Sequence, residues 1–155
     1  MGIAQALLND PQLLIVDEPT TGLDPEERVR FRYLLADLAG ERVVILSTHI
    51  VSDAEAVATR IAVINEGRLL AADSPEALLR GVEGKVWQWT CSSDDLLRAR
   101  QAHLVSGTAR RADGVRVRAV AETRPNPAAA PDTPTLEDAY LDLLSRANGS
   151  EGVGP

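Results

Sequence analysis

The run Leu13-Leu14-Ile15-Val16-Asp17 constrains this chain more than any other stretch. Its apolar side chains do not alternate with polar ones, and they stop at a carboxylate. A strand with one wet face alternates; an unbroken apolar run bounded by turn residues fits a strand covered on both faces, as in a parallel sheet. A carboxylate at the C-terminal end of such a strand stands where α/β proteins place their ligands. Glu18 follows at once, and successive strand residues point to opposite sides, so the two acids can hold different tasks. An Asp-Glu pair by itself is common and fits an ordinary surface loop better than a catalytic site.

The flanking pattern extends the strand into an α/β order. Residues 3–8 read as the tail of a helix stopped by Asn9-Asp10-Pro11. Asp24 has N-cap chemistry, with Pro25 at the first helical position and Glu27 two residues later, so a helix starts there and runs to about Leu38 before Gly40. Residues 42–47 form a second buried strand with Thr48-His49 at its end, and a short helix over 52–59 follows. Residues 61–64 and 68–71 flank Asn65-Glu66-Gly67, a hairpin signal. Ser74-Pro75-Glu76 opens a helix that Gly81 ends. Strand, helix, strand, helix, strand is the order of an α/β domain.

A second region begins near Gly84. Lys85–Cys91 reads as a strand with Trp87 and Trp89 on one face, and residues 93–101 as a helix whose first turn holds Asp94 and Asp95, where negative charge is favoured. Residues 104–110 and 114–121 pair around Ala112-Asp113-Gly114, with Arg116 and Arg118 expected on the solvated face. The tryptophans fit a core or interface better than a ligand platform. Residues 125–134, rich in Pro and Ala, read as a linker or mobile loop. Thr135-Leu136-Glu137-Asp138 caps a last amphipathic helix, and the tail from Asn148 is expected to be disordered.

Composition excludes several classes. The formal charge of -7 argues against a broad nucleic-acid face, which needs a basic surface, and against unaided adhesion to an anionic membrane. With one cysteine, Cys91, the chain can form no internal disulfide and no two-cysteine metal site. That cysteine usage and the absence of a signal-peptide pattern at residues 1–6 fit a reducing cytoplasmic location. No apolar run approaches the length of a membrane span.

The stretch Glu18-Pro19-Thr20-Thr21-Gly22-Leu23-Asp24-Pro25 resembles the Walker B and D-loop run of ABC-type ATPases. Ser47-Thr48-His49 resembles their switch or H-loop, Ile64-Asn65-Glu66-Gly67-Arg68-Leu69 the hairpin that follows, and Ser74-Pro75-Glu76-Ala77-Leu78 the helix closing the core. Order, spacing and spelling agree over about residues 3–80. The resemblance implies a partial P-loop NTPase parallel sheet with flanking helices over residues 1–82, then a small α+β extension over 83–147 and a tail over 148–155. It implies roles as well. Asp17 would hold Mg2+ through a water, Glu18 would be the general base for the attacking water, and His49 would contact the γ-phosphate of ATP. Asp24 would lie at a dimer interface, besides capping its helix. His103 lacks any comparable context and receives no role.

The same resemblance shows what these 155 residues do not contain. No G-x-x-x-x-G-K-[ST] loop is present, and Lys85 lies outside any Gly-rich strand-loop-helix context. The glutamine loop and the Leu-Ser-Gly-Gly-Gln signature are likewise not found, and the chain is expected to start just downstream of that signature. Without donors for the β- and γ-phosphates, the chain alone is expected neither to bind MgATP tightly nor to hydrolyse it. Unpaired sheet edges and low stability are expected unless a complementary piece is supplied.

Residues 84–147 resemble, more loosely, the C-terminal extension of bacterial drug-exporter ATPases, with Thr135–Leu141 as the closing helix. The resemblance implies an ATPase homodimer or heterodimer, placed at the inner face of the plasma membrane by a membrane-spanning permease subunit. Two other readings stand beside it. A soluble ABC ATPase of translation or DNA repair predicts a second cassette or long coiled-coil insertions, which 155 residues cannot hold. A catalytically dead interaction module predicts association with an intact family member through Asp24 and its neighbours.

Overall fold

A computed structural model describes residues 5–150. The expected helix tail over 3–8 and the tail from Asn148 therefore fall partly outside the described residues. The chain divides into two compact units between Ala58 and Thr59. Together they make a mixed α/β structure: one parallel strand pair, one antiparallel hairpin and one antiparallel four-stranded sheet.

In the first unit, β1 (Leu13–Asp17) pairs in parallel with β2 (Val43–Ser47), Leu14 opposite Val44 and Asp17 opposite Ser47. The connection is α1 (Pro25–Ala39), and α2 (Val51–Val57) follows β2. Leu14, Val16 and Leu35 form the core of this unit, with Phe31, Leu38, Val44 and Leu46 against it. Strand parity assigns Leu13, Ile15, Val43 and Ile45 to the opposite face. All four are exposed, Ile15 by 66%. The expectation that β1 is covered on both faces is thus corrected: among the described residues, α1 covers one. The other is as apolar as a buried strand face, yet uncovered.

The second unit begins with the hairpin of β3 (Ile61–Asn65) and β4 (Arg68–Asp73). Its tight turn places Glu66 and Gly67 at φ 49° and 75°, the left-handed pair that a two-residue hairpin loop requires. The short helix α3 (Pro75–Arg80) is capped by Ser74, whose hydroxyl accepts from the Ala77 N–H. A four-stranded sheet in the order β6-β7-β5-β8 completes the unit, built from β5 (Val86–Cys91), β6 (Leu104–Arg111), β7 (Gly114–Val120) and β8 (Ala130–Pro131). Trp89, Val117, Ala119 and Ala129 pack there with Ala99 of α4 (Ser93–Ala102), and Trp87 adds to them. Trp89 is accordingly a core residue, and Trp87, partly buried, packs against that core.

Three readings of this region change. Arg118 does not lie on a solvated face: it meets Asp132 and Asp138, because the start of α5 (Leu136–Ser150) packs beside β7. Residues 125–134 are not a free linker, since β8 pairs with β5 and Ala129 is fully buried. The last helix continues through Asn148 and Gly149 to Ser150. The unit boundary also falls ahead of the one expected between 82 and 83. Val82, Val86, Val120 and Ala139 share one core cluster, and Leu78 packs against it, which draws α3 into the second unit together with β5, β7 and α5.

Candidate functional site

The candidate site lies at the C-terminal ends of β1 and β2. Parallel pairing in register puts Asp17 beside Ser47, whose hydroxyl donates to the Asp17 carboxylate. Asp17 shares strand parity with Leu13 and Ile15, so it rises from the uncovered face. The strand ends there, and Glu18 adopts φ 44°, the left-handed region that an L-residue keeps only where its surroundings hold it. Its direction is therefore set by the turn and not by strand alternation, which corrects the reasoning from opposite faces. The Glu18 N–H continues the pairing by donating to the Ser47 carbonyl at 2.9 Å.

This turn delivers the Glu18 carboxylate to His49. The His49 backbone N–H donates to Glu18 Oε1 at 2.9 Å, and His49 Nδ1 lies 2.8 Å from the same oxygen. Glu18 Oε2 receives a 3.5 Å contact from Thr21 Oγ1. With Nδ1 held by the carboxylate, the imidazole is fixed in orientation while its side chain stays 73% exposed. Thr48 shapes the loop behind it, its hydroxyl accepting from the Ile50 N–H at 3.0 Å.

Asp24 stands apart from this group, at the start of α1. Its carboxylate accepts from the Glu27 N–H at 2.8 Å, and the Glu27 carboxylate accepts from the Asp24 N–H at 3.4 Å. This reciprocal capping box satisfies donors that the first turn of a helix leaves open. The structure thus joins Asp17, Glu18 and His49 across two strand ends and gives Asp24 its helix-capping role.

Sequence reading missed the buried residues behind the site. Thr20 and Asp53 are each 1% exposed, and the Thr20 hydroxyl donates to the Asp53 carboxylate. Arg32 of α1 donates to the same carboxylate through Nε at 2.9 Å and also through Nη2. Burial pushes the Asp53 carboxyl upward, but the bonds from Thr20 and Arg32 and the charges of Arg32 and Arg28 outweigh it and hold the group below its usual value. In the sequence, Asp53 looks like an ordinary acid in the first turn of a helix.

No family model matches the chain. Curated relatives do. The Nod factor export ATP-binding protein I of Rhizobium sp. (strain N33) is 49% identical over 81 residues, covering 50% of this chain and 26% of that protein. The protein of the same name from Burkholderia orbicola is 42% identical over 83 residues, 53% of this chain and 27% of the relative. An uncharacterized ABC transporter ATP-binding protein of Nostoc sp. is 36% identical over 111 residues, 68% of this chain and 32% of the relative. The chain spans about a third or less of the curated relatives it matches. With these relatives, and with Asp17, Glu18 and His49 gathered at the ends of two parallel strands, the chain belongs to the ABC ATPase family.

Proposed function

We propose that this chain carries the water-activating part of an MgATP hydrolysis site, in an ATPase that drives export through a separate membrane-spanning permease. The observation that carries the reading is the Glu18–His49 pair at the ends of β1 and β2. Glu18 Oε1 takes both His49 contacts, while Oε2 has, among the described residues, the long contact from Thr21. Oε2 is the oxygen left to accept a proton from water, and the His49 contacts keep the carboxylate from turning away.

Asp17 would hold Mg2+, whose hard oxygen preference and habit of keeping waters suit one or two carboxylates plus phosphate oxygens. The donor set fits that pattern: the Asp17 carboxylate stands at the end of β1, with the Glu18 carboxylate next in sequence. Bound there, the ion would neutralise charge developing on the transferred phosphoryl group. Ser47 orients the Asp17 carboxylate, and Asp24 would meet a second ATPase across a dimer interface.

The apolar but uncovered face of Leu13, Ile15, Val43 and Ile45 supports placing β1 and β2 in the parallel sheet of a P-loop domain whose other strands and second helical layer lie outside these 155 residues. Covering those four side chains is worth about 1.5–3 kcal/mol each when burial is complete. The phosphate-gripping loop would come from the same source. No helix among the described residues is long and apolar enough to cross a membrane, so placement at the inner face of the plasma membrane would rest on the permease.

The test joins the chain to the phosphate-loop half of a relative and measures MgATP hydrolysis. The joined protein is expected to turn over, the 155-residue chain alone is not, and His49→Ala in the joined protein should lower the rate by about 10²-fold or more. Turnover by the chain alone, or an undiminished rate in His49→Ala, would overturn the reading.

A further inference from the structure

Thr20 lies two residues past Glu18, and Asp53 four residues past His49. These two residues, the buried polar residues of their unit among those described, bond to each other. Both oxygens of the Asp53 carboxylate are engaged: Oδ2 accepts from Thr20, and Oδ1 accepts from Nε and Nη2 of Arg32. Arg32 Nη2 also reaches Ser52 Oγ at 3.3 Å. One carboxylate therefore ties together the turn after β1, helix α1 and helix α2.

Of the elements it ties, α1 has its capping box and Leu35 in the core, whereas the buried residue of α2 is Asp53 itself. Helix α2 has seven residues, and its N-cap, Ile50, supplies no side-chain hydrogen bond. So short a helix is not held by its own propensity, and its entry, directly after His49, lacks the usual polar cap. On the other side, Glu18 holds a left-handed backbone that the rest of its turn must maintain.

We propose that Asp53 is a positioning residue for the hydrolytic site: by clamping Thr20 and the first turn of α2, it holds the two loop ends at the separation at which Glu18 meets His49. It acts through those loops and touches neither residue's reacting atoms. The inference rests on the reading of Glu18 and His49 as the hydrolytic pair. A purely structural buried ion pair would instead stabilise the whole unit and leave the Glu18–His49 contact no more sensitive than the strand ladder.

The test needs no nucleotide, so its failure is distinct from failure of the hydrolytic reading. In proton–nitrogen NMR of the 155-residue chain, the His49 amide that donates to the Glu18 carboxylate should resonate downfield, as charge-assisted donors do. Glu18→Ala marks its position without that bond. Thr20→Val and Asp53→Asn should each move the His49 amide most of the way to the Glu18→Ala position, while the Val16 and Ile45 amides stay in place. Thr20→Ser, which restores a hydroxyl donor, should return it. An unmoved His49 amide, or Val16 and Ile45 amides shifting with it, would overturn the proposal. Should Asp53→Asn fail to fold, Thr20→Val decides by the same criteria.

Discussion

Among the described residues, two carboxylates, Asp53 and Asp138, are almost fully buried, and each is met by an arginine fork. Asp138 is the deeper, at 0% exposure. Its Oδ1 accepts from Ser106 Oγ at 2.5 Å and from Arg118 Nε at 3.1 Å, and its Oδ2 accepts from Arg118 Nη2 at 2.6 Å and from the Thr135 N–H and hydroxyl, both at 2.8 Å. Burial raises the Asp138 carboxyl, but the bonds from Arg118, Ser106 and Thr135 outweigh it and hold the group below its usual range. The folded protein therefore binds this proton less tightly than the unfolded chain does. The stability so gained is complete above the unfolded value of about 3.9 and is lost as pH falls through the lowered folded value. Melting curves from pH 7 down to about 2 should show wild type losing more stability below about pH 4 than Asp138→Asn, which has no such proton to take up. Parallel pH profiles would contradict this. Asp138→Ala should cost about 3–5 kcal/mol at neutral pH, since it leaves Arg118 partly buried without its main partner.

At the scale of elements, α1 separates the two tasks assigned to Asp24. Asp24→Ala removes the capping box and should lower stability by about 1 kcal/mol, whereas Asp24→Ser keeps a capping hydroxyl and should cost much less. Denaturant midpoints of the two variants check this. If Asp24 also serves a dimer interface, Asp24→Ser should still weaken coupling between two ATP sites while the helix stays intact.

Those elements were legible because their signals are local. The apolar run and its closing acids gave β1, the Asp24-Pro25-Glu27 spacing gave the start of α1, and Glu66-Gly67 gave the hairpin. The candidate site was legible for a different reason: Glu18 and His49 stand in stretches that resemble a family's motifs. The buried clusters were not legible, because their partners are distant in sequence. Asp53 and Arg32 are 21 residues apart, and Arg118 and Asp138 are 20 apart. Period two on β7 assigns Arg118 to a face but says nothing of α5 packing beside it. The composition of residues 125–134 hides a two-residue strand, since Ala and Pro at a sheet edge look like a loop.

At the scale of the molecule, the two units differ in what holds them. The second unit has two apolar clusters, around Val117 and around Val86, and an antiparallel sheet. The first has one small cluster and leaves Leu13, Ile15, Tyr33, Val43 and Ile45 exposed. Amide exchange of the 155-residue chain should therefore show slower exchange in β5 and β7 than in β1 and β2. Equal protection would mean that the first unit needs no further cover, and would weaken its assignment to a larger parallel sheet.

The proposed activation of water by Glu18 is tested most directly by one measurement. In the chain joined to the phosphate-loop half of a relative, MgATP binding and single-turnover hydrolysis are compared between wild type and Glu18→Gln. Glu18→Gln is expected to bind MgATP about as tightly as wild type while hydrolysis falls by about 10²–10⁴-fold. Hydrolysis at the wild-type rate with Gln at position 18 would contradict it.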